Sequence, residues 1–215
     1  MIKPVRIKYL VSSHVGYYEK TLPIILPSLT RQVNAKNVLV TIGGGNESKE
    51  GQIMGVDARW VSYNSFEYSS LINFTESNNY ECGFEFVFLL HDTMICGDNF
   101  AKLSSNVNVF CDVTMAHEKG WCNLGAFKVS FLMSIRDSLL LMKNITKNRA
   151  IELEGNFFGE YSTYPNPSAF RLEDFCKSPY NGTDRCVLKF DSVDVIKHGS
   201  NDSERFKMGI VNENL

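Results

Sequence analysis

The sequence predicts an α/β fold with a mostly parallel central sheet and helices on both faces. Three observations predict it. Short apolar runs alternate with helical patterns through the first half of the chain. The runs are nearly continuous in apolar residues, as strands covered on both faces require. Each run also stops abruptly at polar or glycine residues, as strands do when they deliver loops to one edge of such a sheet.

Val5 to Val11, VRIKYLV, reads as the first strand and ends in a polar turn, Ser12-Ser13-His14. A helical pattern follows from Tyr17 to Val33, with Leu22, Ile25, Leu26, Leu29 and Val33 on one face. Pro23 suits its first turn, and Pro27 predicts a kink. Asn37 to Ile42, NVLVTI, is the second strand, closed by Gly43-Gly44-Gly45-Asn46. Ala58 to Ser62 reads as a short third strand. Ser65 is the expected N-cap of a helix through Phe66, Leu71, Ile72 and Phe74. Glu85 to Leu90 is the most strand-like segment and stops at His91-Asp92-Thr93; Asn108 to Met115 is another strand. From Gly125 to Met142 the residues Phe127, Phe131, Ile135, Leu139 and Met142 recur at helical spacing. Beyond about Gly155 the pattern weakens, leaving one apolar stretch from Val187 to Ile196.

The 215 residues, 44% hydrophobic and 21% charged, suffice for one sizeable core and exclude a mostly disordered chain. No repeat or linker interrupts them, so a single domain over 1–215 is expected. A net charge of −2 gives no basic footprint for nucleic acid or an anionic membrane. No run approaches the roughly 18 apolar residues of a transmembrane segment; Phe84 to Leu90 is short and interrupted by Glu85. Met1 to Arg6 lack the apolar core of a secretory signal, so a cytoplasmic chain is expected. The six cysteines form no C-x-x-C pair and read as free thiols. The five Asn-x-Ser/Thr sequons then read as accidental.

In a parallel sheet, Ser12 to His14, Gly43 to Asn46, Tyr63 to Asn64 and His91 to Thr93 all fall on one ligand-binding rim. The glycine run fits neither phosphate-loop pattern and reads as a flexible turn or as one that lets backbone approach a ligand. Asp92, delivered by an apolar strand, is either a hard oxygen ligand for Mg²⁺ or Mn²⁺ or the cap of its own turn. His198 is either a solvent-exposed loop residue or a second metal ligand. His117 and Glu118 form a possible pair on a loop. Glu152 and Glu154 are surface carboxylates unless one faces a cleft, where it would suit a general base. The rings of Phe157, Phe158, Tyr161, Tyr164 and Phe170 read as core or lid, with sugar stacking as the alternative.

These residues resemble the GT-A family of nucleotide-sugar glycosyltransferases, in particular the small GT-A domains at the N-termini of large chlorovirus glycosyltransferases. The first strand with Ser12-Ser13-His14 is similar to the nucleotide-binding turn of that fold. Tyr68-Ser69-Ser70-Leu71-Ile72-Asn73 is similar to the helix before the metal-binding strand, and Phe86 to Asp92 to the strand ending in the D-x-D or D-D motif. Asn123 to Phe127 resembles the turn into an acceptor-side helix. The likeness covers about residues 5 to 155.

The resemblance implies a GT-A (nucleotide-diphospho-sugar transferase) fold, with a nucleotide- and metal-binding half at about 1–105 and an acceptor-side half at about 106–215. It implies a UDP-sugar donor, a glycan or glycoprotein acceptor and transfer of a hexose or 6-deoxyhexose of the glucose or rhamnose type. Ser12, Ser13, His14, Gly43, Gly44, Tyr63, Asn64 and His91 would meet the nucleotide. Asp92 and His198 would hold Mn²⁺ or Mg²⁺. Glu154 would be the catalytic base, with Glu152 as fallback. The motif's first acid is replaced here by His91 or Leu90, so one certain carboxylate remains, and Asp92→Ala should abolish turnover while leaving the fold intact. A host cytoplasm would be the location of such a viral enzyme. The competing expectation is a non-catalytic nucleotide- or carbohydrate-binding module on the same fold. A nucleotidyltransferase ranks last, because Ser12 to Gly16 lack its basic glycine-rich loop.

Overall fold

The computed structural model describes residues 5–77, 83–107, 109–116, 124–153, 169–171 and 186–199. In chain order the strands are β1 (Ile7–His14), β2 (Val38–Gly43), β3 (Lys49–Ile53), β4 (Val56–Trp60), β5 (Phe86–His91), β6 (Met94–Cys96), β7 (Val113–Met115), β8 (Gly125–Lys128), β9 (Ala169–Arg171), β10 (Cys186–Phe190) and β11 (Val195–Gly199). The helices are α1 (Tyr18–Thr30), α2 (Tyr68–Glu76), α3 (Phe100–Ser104), α4 (Val129–Ser134), α5 (Arg136–Leu141) and α6 (Lys147–Leu153).

The main sheet has the order β3-β4-β2-β1-β5-β8-β7-β9. Its centre, β4-β2-β1-β5, is parallel; β3 and β8 run against the others. The expected mostly parallel sheet with helices on both faces is therefore present. The pleat sorts the apolar runs onto the two faces. Ile7, Tyr9 and Val11, with Val38, Val40, Phe86, Phe88 and Leu90, pack under Leu22, Ile25, Leu26 and Leu29 of α1. The intervening Leu10, Leu39, Val87 and Leu89 pack against Leu71 and Phe74 of α2, Phe131 and Leu132 of α4, and Leu139 of α5. Sheet and core run across the expected boundary between the two halves. Phe86 pairs with Lys128, and Val195 of β11 pairs with Cys96 of β6 in a small antiparallel sheet, β10-β11-β6.

Several elements differ from expectation. Ser12, Ser13 and His14 continue β1 instead of forming a turn, because Ser12 pairs with both Thr41 and His91 and His14 with Gly43. Helix α1 starts at Tyr18, so Pro23 lies in its second turn, and the helix runs through both prolines. Pro23 and Pro27 share its exposed face, where water can serve the carbonyls that a missing N–H leaves over. The third strand is an antiparallel hairpin partner of β3, turned at Met54 and Gly55, whose φ values of 53° and 77° are those of a two-residue I′ turn.

Ser65 does not cap α2, which begins at Tyr68. The Ser65 hydroxyl instead donates to Met142 C=O at 2.8 Å. The helical spacing from Gly125 to Met142 spans three elements, β8, α4 and α5, broken at Ile135. Of the strand expected from Asn108 to Met115, the described residues form Val113–Met115. The late apolar stretch is the β10–β11 hairpin. Among the described residues no helix is long and apolar enough to cross a membrane. Cys96 and Cys111 are buried free thiols, as expected of them.

Candidate functional site

Parallel pairing of the four central strands sets their carboxyl ends side by side, with His14 opposite Gly43, Ser12 opposite His91 and Ile42 opposite Trp60. The predicted rim residues are therefore neighbours, although their side chains do different things.

Asp92 is the polar centre of this rim. It is 5% exposed, and its Oδ2 accepts hydrogen bonds from Ser13 Oγ at 2.5 Å and Thr21 Oγ1 at 2.9 Å. Its N–H donates to Ser12 C=O at 3.1 Å. One carboxylate thus joins β1, the first turn of α1 and the end of β5. Hydroxyl bonds to a carboxylate are charge-assisted and strong when water is excluded. Thr21 was not picked out from the sequence; the available signal was a hydroxyl in the first turn of the helix that follows β1. This burial replaces the expectation that Asp92→Ala would leave the fold intact.

Ser12 is turned toward α2, its Oγ lying 2.7 Å from both Glu67 C=O and Ser70 Oγ. It fixes the start of that helix and is buried. His14 is half-buried, with Nδ1 accepting from Gly16 N–H at 3.0 Å and the ring stacked on Tyr17 at 5.4 Å. Its other edge covers Gly44: a Cβ added there would stand 2.4 Å from His14 Nε2. Gly44 also needs its φ of 80°, which side chains resist. The glycine amides are engaged in backbone bonds, Gly44 N–H to Tyr63 C=O at 2.9 Å and Gly45 N–H to Val61 C=O at 3.1 Å. The turn is therefore a ladder between β2 and the segment after β4.

His91 is half-buried at the end of β5. Asn64 Oδ1 accepts from Phe66 N–H, and Asn64 N–H donates to Asn144 Oδ1, tying the rim to the turn after α5. Tyr63 is buried, its hydroxyl donating to Glu76 Oε2 at 3.3 Å beneath Lys143, whose Nζ lies 5.1 Å from the ring centre. Burial first, and then the Glu76 carboxylate, hold the Tyr63 phenol well above its ordinary ionisation range.

His198 is a buried residue of β11, 2% exposed, which corrects the exposed-loop reading. The β6–β11 ladder pairs Lys197 with Met94, and the His198 N–H donates to Thr93 C=O at 2.9 Å. The backbone of His198 thus meets that of Thr93, the residue after Asp92, across a long separation in sequence. Among the described residues no group of three or more His, Cys, Asp or Glu could hold a metal ion.

Glu152 is exposed on α6 and pairs with Arg149 of the same helix at 3.2 Å, so it faces solvent. Glu154, His117, Glu118, Phe157, Phe158, Tyr161 and Tyr164 lie outside the described residues, and Phe170 is a residue of β9. Sequence reading also missed a cavity of about 320 Å³ beyond the carboxyl end of β4, between the β3–β4 hairpin, the C-terminal turn of α2 and Lys143. Its basic and acidic residues alternate along an exposed hairpin, a pattern that reads as ordinary solvated surface. No protein-family model, curated protein or solved structure matches this chain.

Proposed function

We propose that this chain is a GT-A-type glycosyltransferase that moves a hexose or 6-deoxyhexose from a UDP-sugar to a glycan or glycoprotein acceptor, assisted by Mn²⁺ or Mg²⁺. The observation that carries the reading is the backbone bond from His198 to Thr93, which brings a histidine from the end of the chain to the turn that holds Asp92. An α/β sheet whose carboxyl ends gather Ser13, His14, His91 and Asp92 at one rim supports it.

A divalent ion that bridges phosphates needs only one or two protein carboxylates, because phosphate oxygens and water complete its shell. On this reading Asp92 and His198 would supply one oxygen and one nitrogen donor. Ser13 and Thr21 both donate to Oδ2 of that carboxylate. The ion would supply charge stabilisation at the leaving diphosphate. The protein's own part is to fix the rim. Ser13 and Thr21 orient Asp92, Ser12 anchors the start of α2, and His14 stands beside Gly44, where the nucleoside would lie. The base that removes the acceptor proton is, on the family resemblance, Glu154; Glu152 pairs with Arg149 at the surface.

The second reading is a non-catalytic nucleotide- or sugar-binding module. Asp92 favours it, because its two hydroxyl bonds give it a complete structural role without a metal. Thermal unfolding with UDP, with and without Mn²⁺, tests both. A ligand of the folded state adds about 2.7 kcal/mol at a hundredfold excess over Kd. UDP stabilisation that grows with Mn²⁺ in the native chain and not in His198→Gln, together with UDP release from UDP-glucose or UDP-rhamnose, is the expected result. Stabilisation without UDP release supports the module, and no stabilisation by UDP overturns both nucleotide readings.

A further inference from the structure

The peptide plane between Tyr63 and Asn64 is held at both ends. Its C=O accepts from Gly44 N–H at 2.9 Å, and its N–H donates to Asn144 Oδ1 at 2.9 Å. It lies against the bare backbone of Gly43, where a Cβ would stand 3.1 Å from the Tyr63 carbonyl oxygen and 3.6 Å from Asn64 Oδ1. One rigid planar unit therefore bridges the glycine turn after β2 and the turn after α5, and its tilt sets where Asn64 stands on the rim. Asn64 Oδ1 accepts from Phe66 N–H at 3.2 Å, so recognition by its carboxamide falls mainly to the Nδ2 donors, which suit carbonyl and hydroxyl oxygens.

Asn144 is placed to hold that peptide. It is exposed just beyond the Met142 cap of α5, and its φ of 61° is left-handed, a conformation that asparagine enters more readily than most residues. Its own N–H donates to Ser65 Oγ at 3.2 Å, and the Ser65 hydroxyl donates to Met142 C=O at 2.8 Å. The turn is thus tied to Ser65 through backbone groups, and the Asn144 side chain adds the bond that orients the 63–64 peptide. That bond is exposed, so water could serve the Asn64 N–H equally well for stability; what Oδ1 adds is a fixed direction. We propose that Asn144 is a positioning residue for nucleotide binding, holding the 63–64 peptide so that Asn64 meets the nucleoside. The inference rests on the nucleotide-sugar reading above and brings the turn after α5 into that site.

Calorimetric titration of the full chain with UDP and Mn²⁺, with thermal unfolding of the same samples, tests this in the native chain, Asn144→Gly and Asn144→Asp. Asn144→Gly keeps the left-handed backbone and the Ser65 bonds while removing the acceptor, so its Tm should stay within about 4 °C of the native value. Its affinity for UDP should nevertheless fall about fivefold. Asn144→Asp keeps an acceptor oxygen and tolerates the same φ, so it should bind UDP within about twofold of the native chain. Equal affinity in the native chain and Asn144→Gly overturns the inference and leaves the nucleotide reading standing. A loss as large in Asn144→Asp as in Asn144→Gly overturns it too, because the side-chain oxygen would then play no part. No binding of UDP by the native chain overturns the nucleotide reading, and this inference with it.

Discussion

Ser13 and Asp92 are joined across the two central strands, the Ser13 hydroxyl donating to Asp92 Oδ2 at 2.5 Å while Thr21 donates to the same oxygen from α1. The three groups are buried together, and the Thr21 hydroxyl has a second, longer acceptor in Tyr17 C=O at 3.3 Å. Asp92→Ala removes both bonds and leaves two buried hydroxyls to find new partners, a cost of about 2–4 kcal/mol. Thr21→Val removes one bond and leaves Ser13 in place, costing about 1 kcal/mol. Urea unfolding of the two single variants and the double variant measures this. Asp92→Ala should shrink the effect of Thr21→Val, since the Thr21 hydroxyl is then left only its longer bond to Tyr17 C=O at 3.3 Å. Additive losses would show that Thr21 acts through some other contact.

Gly44 and His14 are similarly interlocked, through shape. Gly44→Ala places a methyl 2.4 Å from His14 Nε2 and forces a side chain onto a φ of 80°. The expected loss is about 1–3 kcal/mol. In the His14→Ala background the methyl meets no imidazole, and the loss should fall to the backbone part alone, about 1 kcal/mol. A loss that stays the same with and without His14 would mean that the ring yields freely.

How far the sequence discloses this molecule depends on what each residue run is buried against. β1, β2 and β5 are covered on both faces, so their burial shows as continuous apolar letters, and the leucine spacing of α1 shows its single buried face. β3, KEGQI, has no such signature because it is an exposed edge held by pairing with β4. The stretch from Gly125 misleads for a different reason: Phe127 faces the same cluster from β8 as Phe131 does from α4, so a strand and a helix together mimic one helical stripe. At the rim, convergence follows from strand order and was legible. The Asp92–Thr21 bond and the proximity of His198 to Thr93 depend on tertiary pairing over long separations, which no local pattern encodes.

Pro27 lies in the middle of α1 with its ring on the exposed face. It donates no hydrogen bond to the Pro23 carbonyl, and an interior proline is poorly suited to a helix by up to about 3 kcal/mol. Pro27→Ala restores the N–H and removes the ring, while giving back about 0.4–1 kcal/mol of freedom to the unfolded chain. The net expectation is a gain of about 1–2 kcal/mol in urea unfolding. A loss would mean that the proline sets an approach angle of α1 on which the packing of Leu22 and Leu26 depends.

Alkaline pH should weaken the fold through groups whose burial favours the neutral form. Burial pushes the Cys96 thiol from its ordinary 9.0 up to about 12, with a smaller opposing contribution from Ser28. Burial likewise raises the Tyr63 and Tyr9 phenols above their ordinary 10.0. Below pH 9 the folded and unfolded chains both keep these protons, so their contribution is fully present. Above pH 9 the unfolded chain loses the Cys96 proton first, and stability falls until the folded thiol ionises near 12, a loss of about 4 kcal/mol spread over that window. The phenols add to the decline above pH 10. Thermal unfolding from pH 7 to 11 should therefore show a flat Tm up to about 9 and a steep fall beyond it. Cys96→Ala should start from a lower Tm, because a buried side chain is truncated, and lose less of it between pH 9 and 10. An equal slope in the native chain and Cys96→Ala would assign the alkaline loss to the tyrosines instead.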